Sequence, residues 1–126
     1  MNLNDSESIK YREVNSNDLF LIYGWRNEKK VVQNSLSKKK ITINEHRTWF
    51  NKIIKSENNL CLIFSYNGKE FGLVRFFLHE DSAEINYLIC EKFRGMKLSK
   101  SMLTKSIIFL RSKYKIKQIS AKVLKK

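Results

Sequence analysis

Asn67-Gly68 constrains this chain more than any other pair of residues. It sits between two apolar runs, Leu60–Tyr66 and Phe71–Leu78. Both central residues of a tight type I′ turn need positive φ, which Asn and Gly tolerate, so the two runs read as an antiparallel hairpin. A second turn, His79-Glu80-Asp81-Ser82, leads into another strand-like run, Ala83–Cys90. Three strands in hairpin sequence commit the middle of the chain to a sheet. The remaining segments must therefore cover its faces.

Those segments carry their own periods. Ile9–Val14 alternates apolar and polar residues and predicts a first strand. Ser16-Asn17-Asp18 offers an N-cap for a short helix over Leu19–Arg26. Lys29–Lys40 has no clean period and reads as a basic loop with room for one helical turn. Thr42-Ile43-Asn44-Glu45 is a capping box, and the helix behind it bears Trp49, Phe50, Ile53 and Ile54 on one side, running to about Ser56. After the polar crossing Glu91–Ser99, Leu103, Ile107 and Leu110 fall at helical spacing in Lys100–Lys113. Gln118–Leu124 alternates again as a last strand. The order β-α-α-β-β-β-α-β predicts an α/β (α+β) fold with a mixed, mostly antiparallel sheet flanked by helices.

The 126 residues suit one domain, and proline is absent, so no linker is visible. No apolar run is long enough for a membrane span, and the start of the chain lacks a signal-peptide pattern. Cys61 and Cys90 lie in apolar runs without metal-ligand spacing and read as packed, reduced thiols. The expected setting is cytoplasmic. A net charge of +13 suits a polyanionic partner, although a lysine-rich background composition gives the same number.

The chemistry-bearing segment is the strand Ala83–Cys90, the crossing and the helix behind it. The first N–H groups of a helix lack internal partners and, with the helix dipole, form a ready anion site. Here the loop supplies Arg94, Gly95, Met96, Lys97, Leu98, Ser99 and Lys100. On residues alone, a pyrophosphate site and an ordinary strand–helix crossover both remain open. No GxxxxGK[ST] or GxGxxG pattern is present.

The run Glu91-Lys92-Phe93-Arg94-Gly95-Met96-Lys97-Leu98-Ser99 resembles the acetyl-CoA signature Q/R-x-x-G-x-G/A of the Gcn5-related N-acetyltransferases (GNATs). Arg94 fills its first position, Lys97 stands where the family has Gly, and Ser99 replaces the last Gly or Ala. Lys97 therefore either hinders the tight loop or lends its charge to the pyrophosphate. Tyr23-Gly24-Trp25-Arg26-Asn27-Glu28 is similar to the helix end of family members that acetylate small molecules. Ile41–Phe50 and Asn67–Phe76 resemble their second helix and second hairpin. The resemblance is closest to enzymes acetylating a nucleotide-linked amino sugar, as in pseudaminic acid synthesis.

That resemblance implies acetyl-CoA as co-substrate and a small-molecule amine as acceptor. It assigns the backbone of Tyr87, Leu88 and Ile89 to the pantetheine arm and thioester, with an N–H near Ile89 as oxyanion donor. It assigns the amides of Gly95 through Lys100 to the pyrophosphate and Glu84 to the general base, with His79 and Glu80 behind it. Trp25 and Arg26 are assigned to the acceptor site, with the core as the alternative for Trp25; His46 reads as a surface or packing residue. The family usually continues past the fifth strand with a helix, often bearing a Tyr for the CoA thiolate, and two more strands. The resemblance thus implies an incomplete domain, whether truncated, a fragment, or completed by a partner chain or homodimer.

Two other function classes stand beside this one. A catalytically impaired GNAT-like domain would bind or scaffold without turnover. A basic nucleic-acid module would use Lys38–Lys40 and Arg111–Lys117, but no helix-turn-helix, RNP or zinc pattern supports it.

Overall fold

The computed structural model describes residues 8–121. Five strands form one sheet in the order β1 (Ile9–Glu13), β2 (Asn59–Tyr66), β3 (Lys69–His79), β4 (Ser82–Ile89) and β5 (Gln118–Ala121). Neighbours from β1 to β4 are antiparallel, and β5 runs parallel to β4. Four helices accompany them: α1 (Leu19–Arg26), α2 (Lys29–Gln33), α3 (Ile43–Lys55) and α4 (Ser99–Lys113). The sheet is mixed and mostly antiparallel, as the element order requires.

The hairpin signal acts as its chemistry dictates. Asn67 and Gly68 take φ of 51° and 81°, the pair of positive values that matches the twist of β2 and β3. At the second hairpin, Lys117 N–H donates to the Asp81 carbonyl at 2.7 Å, which seats the start of β5 beside the β3–β4 turn.

Alternation along the strands separates two faces. Val74, Phe76 and Ile85 share one face with Leu62 and Phe64 across the ladder, and all five are buried. α4 covers this face: Met102 and Leu110 are fully buried, and the Phe109 ring meets Tyr11 of β1 at 5.5 Å. Leu73, Arg75 and Phe77 lie on the opposite face with Leu88, Asn86 and Glu84 opposite them. α1 and α3 pack there, bringing the Trp49 ring to 5.7 Å from the Arg75 guanidinium. Phe50, Phe64, Phe71 and Phe76 are buried to 2% exposure or less. Each contributes about 2–3 kcal/mol relative to an exposed ring.

Two caps explain the helical starts. Thr42 Oγ1 accepts from Glu45 N–H at 3.1 Å, and the Glu45 carboxylate accepts from Thr42 N–H at 2.9 Å. The entry to α1 has Asp18, one of the expected residues, just before the helix, and adds a cap on the preceding turn that the sequence reading did not name, Asn15. Its side chain accepts from Asn17 N–H, and Asp18 reaches back to Asn15 N–H, closing a 3-10 turn over Ser16–Asp18. Arg12 forks onto both Asp18 oxygens at 2.7 and 2.8 Å and onto Glu70 at 2.8 Å. Burial alone would raise the Asp18 pKa; its hydrogen bonds from Arg12 and Asn15 outweigh that and hold it below the ordinary value. Within the basic loop, Lys29–Gln33 forms the helical turn for which the sequence left room, α2. The expected last residues of the fifth strand, 122–124, lie outside the described residues.

Cys61 and Cys90 are free, and burial raises both thiol pKa values, that of Cys61 to about 12. At neutral pH they are packed hydrophobes rather than nucleophiles. Among the described residues no helix is long and apolar enough to cross a membrane, and no cluster of His, Cys, Asp and Glu is arranged to hold a metal.

Candidate active site

A cleft of about 940 Å³ opens where β4 leaves β5 and the chain crosses to α4. Its wall follows from strand phase. Cys90 N–H donates to the Phe71 carbonyl at 2.8 Å, so Phe71 and Cys90 form a hydrogen-bonded pair. Such pairs alternate along an antiparallel ladder, and Leu73–Leu88 and Arg75–Asn86 are therefore the next two. The backbone groups of Tyr87 and Ile89 consequently point away from β3. Among the described residues β5 pairs only with Ser82–Ile85, leaving Tyr87 and Ile89 on an open edge. Leu88, expected to offer its backbone to a ligand, instead directs it to β3; its side chain still lines the cleft.

The floor is the crossing loop. Gly95 has φ of 84°, a backbone shape that side-chain-bearing residues avoid, and Lys97 adopts φ of 59°. The tight loop therefore forms with lysine at the position where the resembling motif has glycine. It does so at a cost of about 1 kcal/mol in left-handed strain. α4 then starts without help: its cap residue Leu98 makes no side-chain bond, and no acid lies in the first turn. Its outward N–H groups and dipole face the loop, beside the Lys97 and Ser99 that line the cleft. The contrast with the boxed start of α3 is direct.

Arg94 is not the free cation the sequence suggested. Its Nε donates to the Ile89 carbonyl at 2.9 Å and its Nη2 to Glu28 Oε1 at 2.6 Å. The same Glu28 oxygen accepts from Glu91 N–H at 3.0 Å. Arg94 thus braces the open end of β4 against the α1–α2 junction.

Of the other expected residues, Tyr87, Ile89, Gly95, Lys97, Leu98 and Ser99 line the cleft; Met96 and Lys100 do not. Glu84 also stands outside the lining. It shares a face with Asn86 two residues along the strand, about 7 Å away, and lies opposite Phe77. His79 is exposed at the end of β3, and Trp25 is buried core at 7% exposure. Arg26 lies behind the cleft, stacked on Trp49 with its guanidinium carbon 3.9 Å from the ring centroid. His46 is fully buried, a packing residue and not a surface one. Its Nε2 lies 2.7 Å from the Leu19 carbonyl and its Nδ1 3.1 Å from Arg26 Nη1. A carbonyl only accepts and a guanidinium only donates, so Nε2 carries the proton and Nδ1 is the acceptor. Burial, with Arg26 and Arg47 nearby, holds the ring's pKa below its ordinary value.

Sequence reasoning missed the opposite wall. Lys30, Val31, Asn34, Ser35 and Leu36 border the cleft from α2 and the segment after it, and Arg75 and Asn86 from the sheet. Strand alternation carried the signal for the last two, since both are polar on a face otherwise apolar at Leu73 and Leu88.

No protein-family model matches the chain, and no curated protein matches it in sequence. Solved structures do match in shape. A spermidine N-acetyltransferase from Vibrio cholerae, in complex with CoA and spermine, superposes with a TM-score of 0.70 at 17% identity over 82% of this chain. This chain spans 63% of that protein. AAC(6')-Ib in complex with ribostamycin and coenzyme A gives 0.78 at 15% identity, over 90% of this chain and 73% of the other. The acetyl transferase from Salmonella typhimurium that modifies the N-terminal serine of ribosomal protein L7/L12 gives 0.76 at 16%, over 90% and 70%. At such identities the likeness speaks for architecture alone, and the architecture of this chain is a GNAT-like fold.

Proposed function

We propose that the chain binds acetyl-CoA along the open edge of β4 and transfers the acetyl group to a primary amine of a small molecule, in a cytoplasmic setting. The observation that carries this reading is the continuity of two features. Strand amides at Tyr87 and Ile89, which β5 does not pair with among the described residues, run directly into an uncapped helix start flanked by Lys97. An extended amide-bearing arm suits the first, and a pyrophosphate suits the second. The cleft volume is at the upper end of the range for small-molecule sites.

Acetyl-CoA supplies an activated thioester. The residues of this chain hold and polarise it. The Ile89 N–H, directed to the open edge, is the proposed donor to the developing oxyanion; such a donor lowers a barrier by about 3 kcal/mol. The amides from Gly95 to Lys100 receive the pyrophosphate, and Arg94 keeps loop and strand edge in register. Glu84 is the proposed base; its place one strand repeat beyond Asn86 calls for a water between it and the amine. The finer reading of the acceptor, a nucleotide-linked amino sugar, rests on the motif resemblance around Trp25 and Arg26.

Calorimetric titration tests the first step. Micromolar binding of acetyl-CoA and desulfo-CoA with little binding of ATP is expected; a folded sample that ignores acetyl-CoA would end the reading. With binding in hand, Glu84→Gln should lower turnover about 100-fold while leaving acetyl-CoA affinity intact. Binding without turnover on any amine would mark a binding or scaffold domain instead.

A further inference from the structure

Arginines in this protein are treated in two ways. Arg12 pairs with Asp18 and Glu70, and Arg94 with Glu28. Arg26 and Arg75, both partly buried on the α1–α3 face, pair with no carboxylate among the described residues. Arg47 and Arg111 have none either, but both are exposed to water. Arg26 and Arg75 meet the same Trp49 ring, at 3.9 and 5.7 Å, which fixes them near each other. The hydrogen-bond acceptor given to Arg26 is the neutral imidazole of His46, which orients the guanidinium without cancelling its charge. Glu45, the acid that acts on Arg26, is engaged in capping α3. Glu84 lies on the same face, one rung beyond Arg75, and forms no ion pair among the described residues. Burial, and then Arg75, push Arg26 down to about 10, the mark of a cation short of counter-charge that is still charged at neutral pH.

Two partly buried cations held together without an anion are costly unless a ligand completes them. Arg75 borders the cleft directly and lies opposite Asn86, which also lines it. Asn86 is three residues before Ile89, about 10 Å from the place where the crossing loop begins. This positive end is thus separate from the helix start assigned to the pyrophosphate of the co-substrate.

We propose that Arg75, with Arg26 behind it on the Trp49 ring, forms a subsite for an anionic group on the acceptor, so that the acceptor is a phosphate- or carboxylate-bearing amine and not a polycation. The inference rests on the acetyl-transfer reading for the word acceptor, but the anion subsite stands on the arginines themselves. A planar guanidinium fork suits an oxyanion, and the aromatic beneath it limits the orientations it must give up on binding.

The test is calorimetry on protein saturated with desulfo-CoA, which occupies the loop end. Uridine diphosphate and aspartate serve as the phosphate and carboxylate arms, and spermine as the polycation. One of the two anions should bind, and which one identifies the group. Arg75→Gln should weaken that binding about tenfold or more, and Arg75→Lys should recover only part of it, since an ammonium keeps the charge but loses the fork. Raising the salt should weaken it in the wild type. Equal affinity in Arg75→Gln, silence from both anions, or spermine binding at least as tightly overturns the proposal. Failure of desulfo-CoA to bind strikes the acetyl-transfer reading instead, and the same anion titrations on the free protein still judge the subsite.

Discussion

The two ends of the cleft use arginine in opposite senses. At the loop end, Arg94 is matched by the Glu28 carboxylate and the Ile89 carbonyl, so its charge is committed to holding the backbone in shape. Positive potential there comes instead from backbone N–H groups and a lysine. At the sheet end, Arg26 is held by a neutral histidine and Arg75 by an aromatic ring, so both charges remain available. A carboxylate partner positions a cation and cancels it; an imidazole positions it and leaves it charged. The difference separates a structural arginine from a recognition arginine where composition does not distinguish them.

The largest effect is expected from His46. Truncation to Ala opens a cavity in the α1–α3 packing and leaves the buried Leu19 carbonyl without its donor, for a loss of about 3 kcal/mol in denaturant unfolding. The same residue sets a pH dependence. Its folded pKa lies below the ordinary 6.5, so the neutral ring is the native form. Above about pH 6.5 the contribution is complete; as pH falls from there toward the folded value, the unfolded chain takes up the proton first and stability drops. Protonation would also add a cation beside Arg26 and Arg47, both of which act against the charged ring. Unfolding free energies at pH 7.5 and 5.5 should differ in the wild type and converge in His46→Gln. The Asp18 carboxylate, also depressed, adds its own loss only in more acid solution, below its ordinary 3.8.

Arg94 tests the other end. Arg94→Ala removes the donor to Ile89 and leaves Glu28 partly buried without its cation, at a cost of about 2 kcal/mol. Acetyl-CoA affinity should fall about tenfold, because the loop and strand edge lose their common brace. Restoring only the charge with Arg94→Lys should recover little, since one ammonium cannot serve both acceptors in the fork geometry. Unchanged acetyl-CoA affinity in Arg94→Ala would show that the brace and the ligand are independent.

The parts legible in the sequence were those determined by short-range chemistry. The Asn67-Gly68 turn, the Thr42–Glu45 box and the strand running into α4 each depend on residues within a few positions of one another. The parts that escaped depend on long-range pairing. Glu28 and Arg94 are sixty-six residues apart, and nothing local to either announces that they meet. Arg75 lines the cleft because β3 and β4 share a register, and His46 is buried because α1 closes over it. The Asn15 cap went unnamed because Ser16-Asn17-Asp18 reads as a helix start by itself; the extra turn closes only when Asp18 reaches back to Asn15 N–H.

Gly95→Ala and Lys97→Gly bracket the loop itself, with opposite signs. At Gly95 an added Cβ would meet nothing within 4 Å, so the whole cost, about 1 kcal/mol, comes from placing alanine at φ of 84°. Lys97 already bears that penalty at φ of 59°, and glycine would relieve it. The gain is smaller, about 0.5 kcal/mol, because glycine also loosens the unfolded chain. Affinity for acetyl-CoA decides what the lysine is for. If Lys97→Gly stabilises the fold yet weakens acetyl-CoA binding, with the loss shrinking at high salt, the lysine supplies charge at the loop end in exchange for backbone strain. If stability and affinity rise together, the loop end works through its amides alone, and the arginine pair is the part of the cleft that depends on side-chain charge.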